Sequence, residues 1–410
     1  MYYRAILLSA IVVITTQNTF SQTPAPTQFG SKAVNAVQAT PSSILLGQEI
    51  AITTAVPFLA ISPDARHAAL GDAGVATTPD ANAAFWNAGK LVFNEDKSGG
   101  TVSYTPWLGK IVNDMWIGYL SGYYKITREQ AVAVSLKYFD LGDISFTDIN
   151  NLPLGDYNPN DWALDATYSR KLSEELGVGI SARYIYSNLT GATAGIDAKP
   201  GKSVAADIGV YYNKSLKWTK LSTLSLGATI TNIGEKLTYT DNSNADFLPT
   251  TFRLGTAFTT ELDPFNSLTF VLDFSKLMVP SPPIRDNNII ISGRDDNRSV
   301  LDAMFSSFTD APNGAKEEFQ EVMTSIGVEY WYNKTFAARL GYFNEAQNKG
   351  NRKYMTIGLG FSKEKFGFDV AYLVPTAKRE HPLAETLRFT LLFRIKSDSS
   401  TPEESVTDNP

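Results

Sequence analysis

The sequence predicts an all-β chain, a fourteen-stranded transmembrane barrel of the outer-membrane type with an N-terminal plug inside its lumen. Three observations carry this expectation. Apolar and polar residues alternate with a period of two, most alternating runs are 9–12 residues long, and the connections between them are by turns short and long. A strand sends successive side chains to opposite faces, and a tilted strand of about 9–11 residues crosses a bilayer. Short turns at one end with long loops at the other are the mark of an outer-membrane barrel. Composition agrees: 12% of the 410 residues are aromatic and only 19% charged, against roughly 25% charged in soluble proteins.

From the N-terminus, Arg4 precedes the apolar run Ala5–Ile14 and then a polar stretch with small residues near Ser21. This is the pattern of a secretory signal peptide over residues 1–21, too short to span a bilayer. A polar linker follows over 22–49, and residues 50–99 do not alternate. That segment is rich in Gly, Ala and Pro, with too little aliphatic content for a separate core, and suits a plug within the lumen. The barrel is expected over 100–396, in segments 100–106, 114–125, 130–140, 161–170, 176–187, 203–213, 222–231, 250–260, 267–276, 322–332, 334–343, 353–361, 366–374 and 385–396. An even strand number places both termini on the short-turn, periplasmic side. Residues 397–410 are expected to form a polar, disordered tail.

The polar faces carry five basic and five acidic residues: Lys137, Asp165, Arg183, Asp207, Arg253, Asp273, Glu329, Arg339, Asp369 and Arg388. In chain order they fall as opposite-sign neighbours, Lys137 with Asp165, Arg183 with Asp207, Arg253 with Asp273, Glu329 with Arg339 and Asp369 with Arg388. Selective ion pores need a ring of one sign, so this interior suits a plugged or ligand-filled barrel rather than an ion filter. A net charge of −6 without a basic block argues against nucleic acid, and the absence of cysteine excludes disulfides and thiolate chemistry.

The histidines, His67 and His381, have no nucleophile motif beside them, and no cofactor fingerprint is present, so no enzyme is expected. The loop 277–321 stands apart. Val300, Leu301, Met304, Phe305 and Phe308 recur at helical spacing behind Asn297, a candidate N-cap, and form an apolar stripe for a partner or a lid over the barrel mouth.

TTAVPFLAISPDARHAALGDAGVATTPDANAAFWNA (Thr53–Ala88), SYTPWLGKIVNDMWIGYLSGYYKI (Ser103–Ile126), YFDLGDISFTD (Tyr138–Asp148), FTDAP (Phe308–Pro312) and EYWYN (Glu329–Asn333) resemble the PorV family of the type IX secretion system of Bacteroidetes-type bacteria, over about 52–396. More distantly, GDAGVA…DANAAFWNAG is similar to the plug of FadL-type fatty-acid transporters, although Asn87-Ala88-Gly89 stands where those plugs carry Asn-Pro-Ala. The resemblance implies an outer-membrane barrel that is not itself the export pore. It would bind the C-terminal signal domain of cargo emerging from the translocon barrel SprA (Sov), then pass it to a cell-surface attachment complex containing the sortase PorU. A FadL-like carrier of lipids or other hydrophobic molecules is the alternative, and a lipid-modifying enzyme ranks last.

Overall fold

The computed structural model describes residues 51–108, 114–147, 150, 152–189, 199–216, 221–239, 245–376 and 386–395. The expected leader, linker and C-terminal tail lie outside the described residues, as does His381. The fourteen wall strands are β1 (Ser98–Pro106), β2 (Trp116–Lys125), β3 (Gln130–Asp140), β4 (Asn160–Lys171), β5 (Leu176–Asn188), β6 (Gly201–Leu216) and β7 (Ser222–Gly234), followed by β8 (Thr251–Asp263), β9 (Asn266–Leu277), β10 (Met323–Tyr332), β11 (Phe336–Asn344), β12 (Lys353–Lys363), β13 (Phe366–Pro375) and β14 (Leu387–Ile395). All fourteen expected segments are strands. Each pairs antiparallel with its sequence neighbours, and β1 closes on β14 from Ser98↔Ile395 to Tyr104↔Phe389.

Six connections at one end hold two to five residues, and seven at the other hold eight to forty-five. No helix among the described residues is long and apolar enough to cross a membrane. The strands do so instead, and their alternation has the polarity that lipid requires. On β5, Ile180 and Tyr184 are 59% and 39% exposed, whereas Ser181 and Arg183 are 3% and 6% exposed. Apolar side chains face outward and polar ones inward, the reverse of a water-soluble sheet. Outward-facing aromatics gather at both ends. Trp116 lies between Tyr104 and Tyr138 near the long loops, with ring centroids 5.9 and 5.3 Å away. Phe336 meets Phe361 at 5.4 Å and Phe366 meets Phe393 at 5.7 Å near the short turns. These are the two interfacial girdles of a membrane barrel.

Residues 55–94 make short helical turns and pack against the buried face of the wall. Asp64 caps the turn Ala65–Ala68, accepting from the His67 amide at 3.0 Å. The segment runs from one end of the barrel to the other. The Ala55 amide donates to the Phe247 carbonyl in a long loop, and the Phe58 ring lies 6.5 Å from Phe139 at the long-loop end of β3. Midway, Gly74 and Val75 donate to Asp273 on β9. At the short-turn end Lys125 donates to the Asn94 carbonyl at 2.7 Å. Both ends of the wall, Ser98 and Ile395, lie on the short-turn side as expected. The described chain nevertheless begins at the opposite end, because residues 55–94 traverse the interior before β1 starts. The strand-parity argument counted only the wall.

Backbone meets backbone where wall glycines face this segment. A Cβ on Gly341 would come within 2.0 Å of the Gly71 nitrogen, and one on Gly179 within 2.4 Å of the Ala88 carbonyl carbon. Gly122, by contrast, faces outward, where a Cβ would meet nothing closer than 3.8 Å. Gly341→Val should therefore lower the temperature at which the folded barrel survives in detergent, measured by heat-dependent gel migration. Gly122→Val should leave it unchanged.

Candidate functional site

Two regions concentrate unusual chemistry: the charged interior and the long loop 278–322 at the barrel mouth. In the interior, Arg66 binds Glu329 on β10 through two contacts of 2.9 and 3.0 Å and Asp80 at 2.9 Å. Glu329 in turn takes Arg339 on β11 at 2.7 Å, and Arg339 takes Asp369 on β13 at 2.6 Å. A second array centres on Arg183 of β5, which reaches Asp165 of β4 at 2.5 Å and Asp207 of β6 at 2.9 Å. Paired arginine forks of this kind desolvate charge at tolerable cost only because nearly every donor finds an acceptor.

The expected inward direction of the ten charges holds, but their partners differ from simple strand neighbours. Arg183–Asp207 and Glu329–Arg339 pair as anticipated. Lys137 donates instead to the Ile61 carbonyl, Arg388 donates to the Ser62 carbonyl at 2.8 Å, and Asp273 accepts from the Gly74 and Val75 amides at 2.7 and 2.9 Å. Arg253 lies 5.9 Å from the Phe85 and Trp86 rings rather than against Asp273. The cause is common to all four: the N-terminal segment offers backbone and ring partners nearer than the neighbouring strand. A recess of about 290 Å³ remains above it, lined by Asp72, Arg253, Asp273, Glu345, Arg352 and Tyr354 among others. Its lining mixes these charged groups with apolar ones, among them Ile52, Trp86, Leu277, Met323 and Phe343.

His67 has a relay-like setting, with Nδ1 2.7 Å from Asp64 and Nε2 2.9 Å from the Thr77 hydroxyl. Trp86 donates to the other Asp64 oxygen at 2.8 Å. Asp64 and His67 are fully buried and Thr77 is 1% exposed. With no solvent-accessible face, the array fixes the fold of the segment. Among the described residues no cluster of side chains could hold a metal ion.

At the mouth, the apolar stripe is split. Helix Val300–Ser306 is capped by Ser299, whose hydroxyl accepts from the Asp302 amide, and not by Asn297. Asn297 lies two residues before that cap, in a turn where its backbone amide donates to Asp295 at 3.0 Å. Leu301 and Phe305 are 63% and 74% exposed, one turn apart on the solvent face. Met304 is buried, Val300 half-buried, and Phe308, beyond the helix, sits edge-on to Phe252 of β8 at 6.4 Å. The five residues thus straddle the line between buried and exposed faces. Phe319, 79% exposed on helix Ala315–Gln320, joins the exposed set and was missed from sequence, since it stands alone among charged residues.

Buried ion pairs tie this loop to the rim. Lys276, at the end of β9, contacts Glu321 and lies 3.1 Å from Glu318, while Lys349 contacts Glu317 and lies 2.9 Å from Glu321. Ser281 donates to Glu321 at 2.6 Å. Burial opposes ionisation of Glu321, but Lys276, Ser281 and Lys349 outweigh it and hold its carboxyl below the ordinary glutamate range. No sequence spacing links these residues, because they come from three separate stretches of chain.

Two outcomes follow. Breaking one partner of a buried pair costs about 3–5 kcal/mol, so Arg66→Met should markedly lower the unfolding temperature of the barrel in detergent, whereas Arg170→Met, at an exposed site, should not. The Lys276→Met/Lys349→Met double variant should keep the barrel folded yet make loop 278–322 cleavable by limited proteolysis under conditions where the parent resists.

The sequence profile of the family described as "Type IX secretion system protein PorV" matches residues 46–284, more than half of the chain. No curated protein matches. Among solved structures, the chain is similar to the Ralstonia pickettii toluene transporter TbuX (11% identity, TM-score 0.44), covering 81% of this chain and 98% of that one. It is also similar to the Pseudomonas putida toluene transporter TodX, with 10% identity, TM-score 0.46 and coverage of 81% and 98%. For a Pseudomonas aeruginosa FadL homologue the values are 10%, 0.43, 84% and 99%.

Proposed function

This chain belongs to the PorV family, and from that premise we propose that it binds the C-terminal signal domain of secreted cargo at the translocon and hands that cargo to the cell-surface attachment machinery. It is an outer-membrane component of the type IX secretion system, of a family and fold that are non-enzymatic in kind. The translocon barrel SprA (Sov) and the sortase PorU complex are the partners this reading names, with lipid against the outward face. Residues 1–21 act as its export signal, and residues 50–99 act as a plug that keeps the wall from being a passage.

One observation supports this reading above the others: Leu301, Phe305 and Phe319 stand 63%, 74% and 79% exposed on a long loop whose base is fastened by buried ion pairs. Apolar side chains held rigidly in water are suited to burial against a protein partner. The charge-balanced interior agrees with a barrel that handles cargo from outside rather than conducting it.

Burying one such side chain contributes about 1.5–3 kcal/mol, roughly tenfold or more in affinity. Leu301→Ser/Phe305→Ser should therefore leave the barrel assembled, reduce recovery of translocon and cargo by affinity purification at least about tenfold, and leave cargo in the periplasm. Normal secretion and undiminished recovery would remove the loop from the partner surface.

A further inference from the structure

Away from the interior and the mouth, the lipid-facing wall carries a feature that strand alternation does not require. On the outward face of β10–β13, close to the short turns, lies a groove of about 500 Å³. Ala338 of β11 forms its floor. Register places Tyr330 of β10 on one side of Ala338 and Leu359 of β12 on the other, while Phe336 and Leu340 stand before and after it on β11. All four are large, outward and exposed, so they surround a single methyl group. Phe361, 5.4 Å from Phe336, continues the wall toward the turns, and no charged side chain lines the groove.

Just past the groove the wall becomes basic. Alternation persists to the end of β12, so Lys363 continues the outward face of Leu359 and Phe361. It stands two residues beyond Phe361, about 7 Å along the strand. Lys334, in the turn between β10 and β11, and Lys365, in the turn between β12 and β13, are also exposed. Residues 333–335 and 363–365 together carry these three lysines and one acid, Glu364. In the neighbouring turn, Asp263 is already occupied by the Phe265 and Asn266 amides at 2.8 and 2.9 Å and by the Asn266 side chain. Short turns face the periplasm in barrels of this kind, so hydrocarbon in the groove belongs to the periplasmic leaflet. A smooth wall touches an acyl chain on one side, whereas a groove touches it on several, and each added atom pair contributes dispersion attraction. Lysines at a membrane interface attract anionic headgroups.

We propose that this groove is a site for an anionic glycerophospholipid of the periplasmic leaflet, one acyl chain lying over Ala338 and the headgroup phosphate held by Lys334 and Lys363. The apolar groove and the basic rim are separate observations, and this one ligand satisfies both. The site uses neither the mouth nor loop 278–322, so it goes beyond the cargo reading and does not fail with it.

Native mass spectrometry of the full barrel, released from detergent after titration with phosphatidylglycerol or with phosphatidylethanolamine, reads the bound lipid directly. The parent should retain one phosphatidylglycerol under conditions that strip phosphatidylethanolamine. Ala338→Phe fills the groove and Lys334→Glu/Lys363→Glu reverses the charge at its rim, and each should weaken retention about tenfold or more. Ala182→Phe, equally outward on β5, and Arg128→Glu, in the turn between β2 and β3, should leave retention unchanged. Heat-dependent gel migration verifies that each variant is a folded barrel, and Ala338→Leu replaces Ala338→Phe if the ring prevents assembly. Equal retention of the two lipids, which marks ordinary annular lipid only, overturns the proposal. So does undiminished retention in either the Ala338 variant or the lysine pair, or the loss of a co-purifying protein instead of a lipid when the groove is filled.

Discussion

The contact on which the interior depends is the fork between Arg66 and Glu329. It joins a segment that has almost no regular structure of its own to a wall strand, and through Arg339 it extends the connection to Asp369, three strands beyond β10. Buried ion pairs add little net stability over apolar packing, but losing one partner leaves a charge stranded where water cannot reach it. Such contacts make displacement costly and so specify position. The wall glycines act in the same sense by steric fit, since Gly341 and Gly179 admit the segment's backbone at distances that any side chain would block.

That fixed interior separates two surfaces with different solvents. Outside, aliphatic and aromatic residues meet lipid between two aromatic girdles. At the mouth, the forty-five-residue connection after β9 is held by Lys276 and Lys349 against three glutamates. The exposed Leu301, Phe305 and Phe319 consequently sit on a fastened platform, and the partner proposed to dock there would meet groups whose positions are already set. Pre-ordered contact groups bind with less entropic loss than a loop that must first be arranged.

The wall was legible in the sequence because a period of two, sustained over fourteen segments in a lipid-exposed barrel, leaves one apolar face per strand. The inward direction of Arg183, Glu329 and Arg339 follows from that same alternation. Their partners do not, because pairing is a matter of three-dimensional proximity to residues such as Ile61, Ser62 and Gly74, which carry no charge and signal only through their backbones. The apolar stripe was legible as helical spacing, but which edge of it would be buried depends on how the loop folds onto the rim, and Met304 went inward while Phe305 stayed out. The ends of the segment illustrate the same limit. Strand parity fixes where Ser98 lies, yet says nothing of a passage made before the first strand.

The most direct test of this account is the electrical behaviour of the purified protein in planar lipid bilayers. A segment pinned through Arg66 and seated on wall glycines predicts no sustained ion conductance at moderate voltage, despite a closed wall of fourteen strands. Stable, long-lived conducting steps from the intact protein would contradict it, because they would mean that the interior is an open passage and that the contacts along residues 55–94 do not hold the lumen shut.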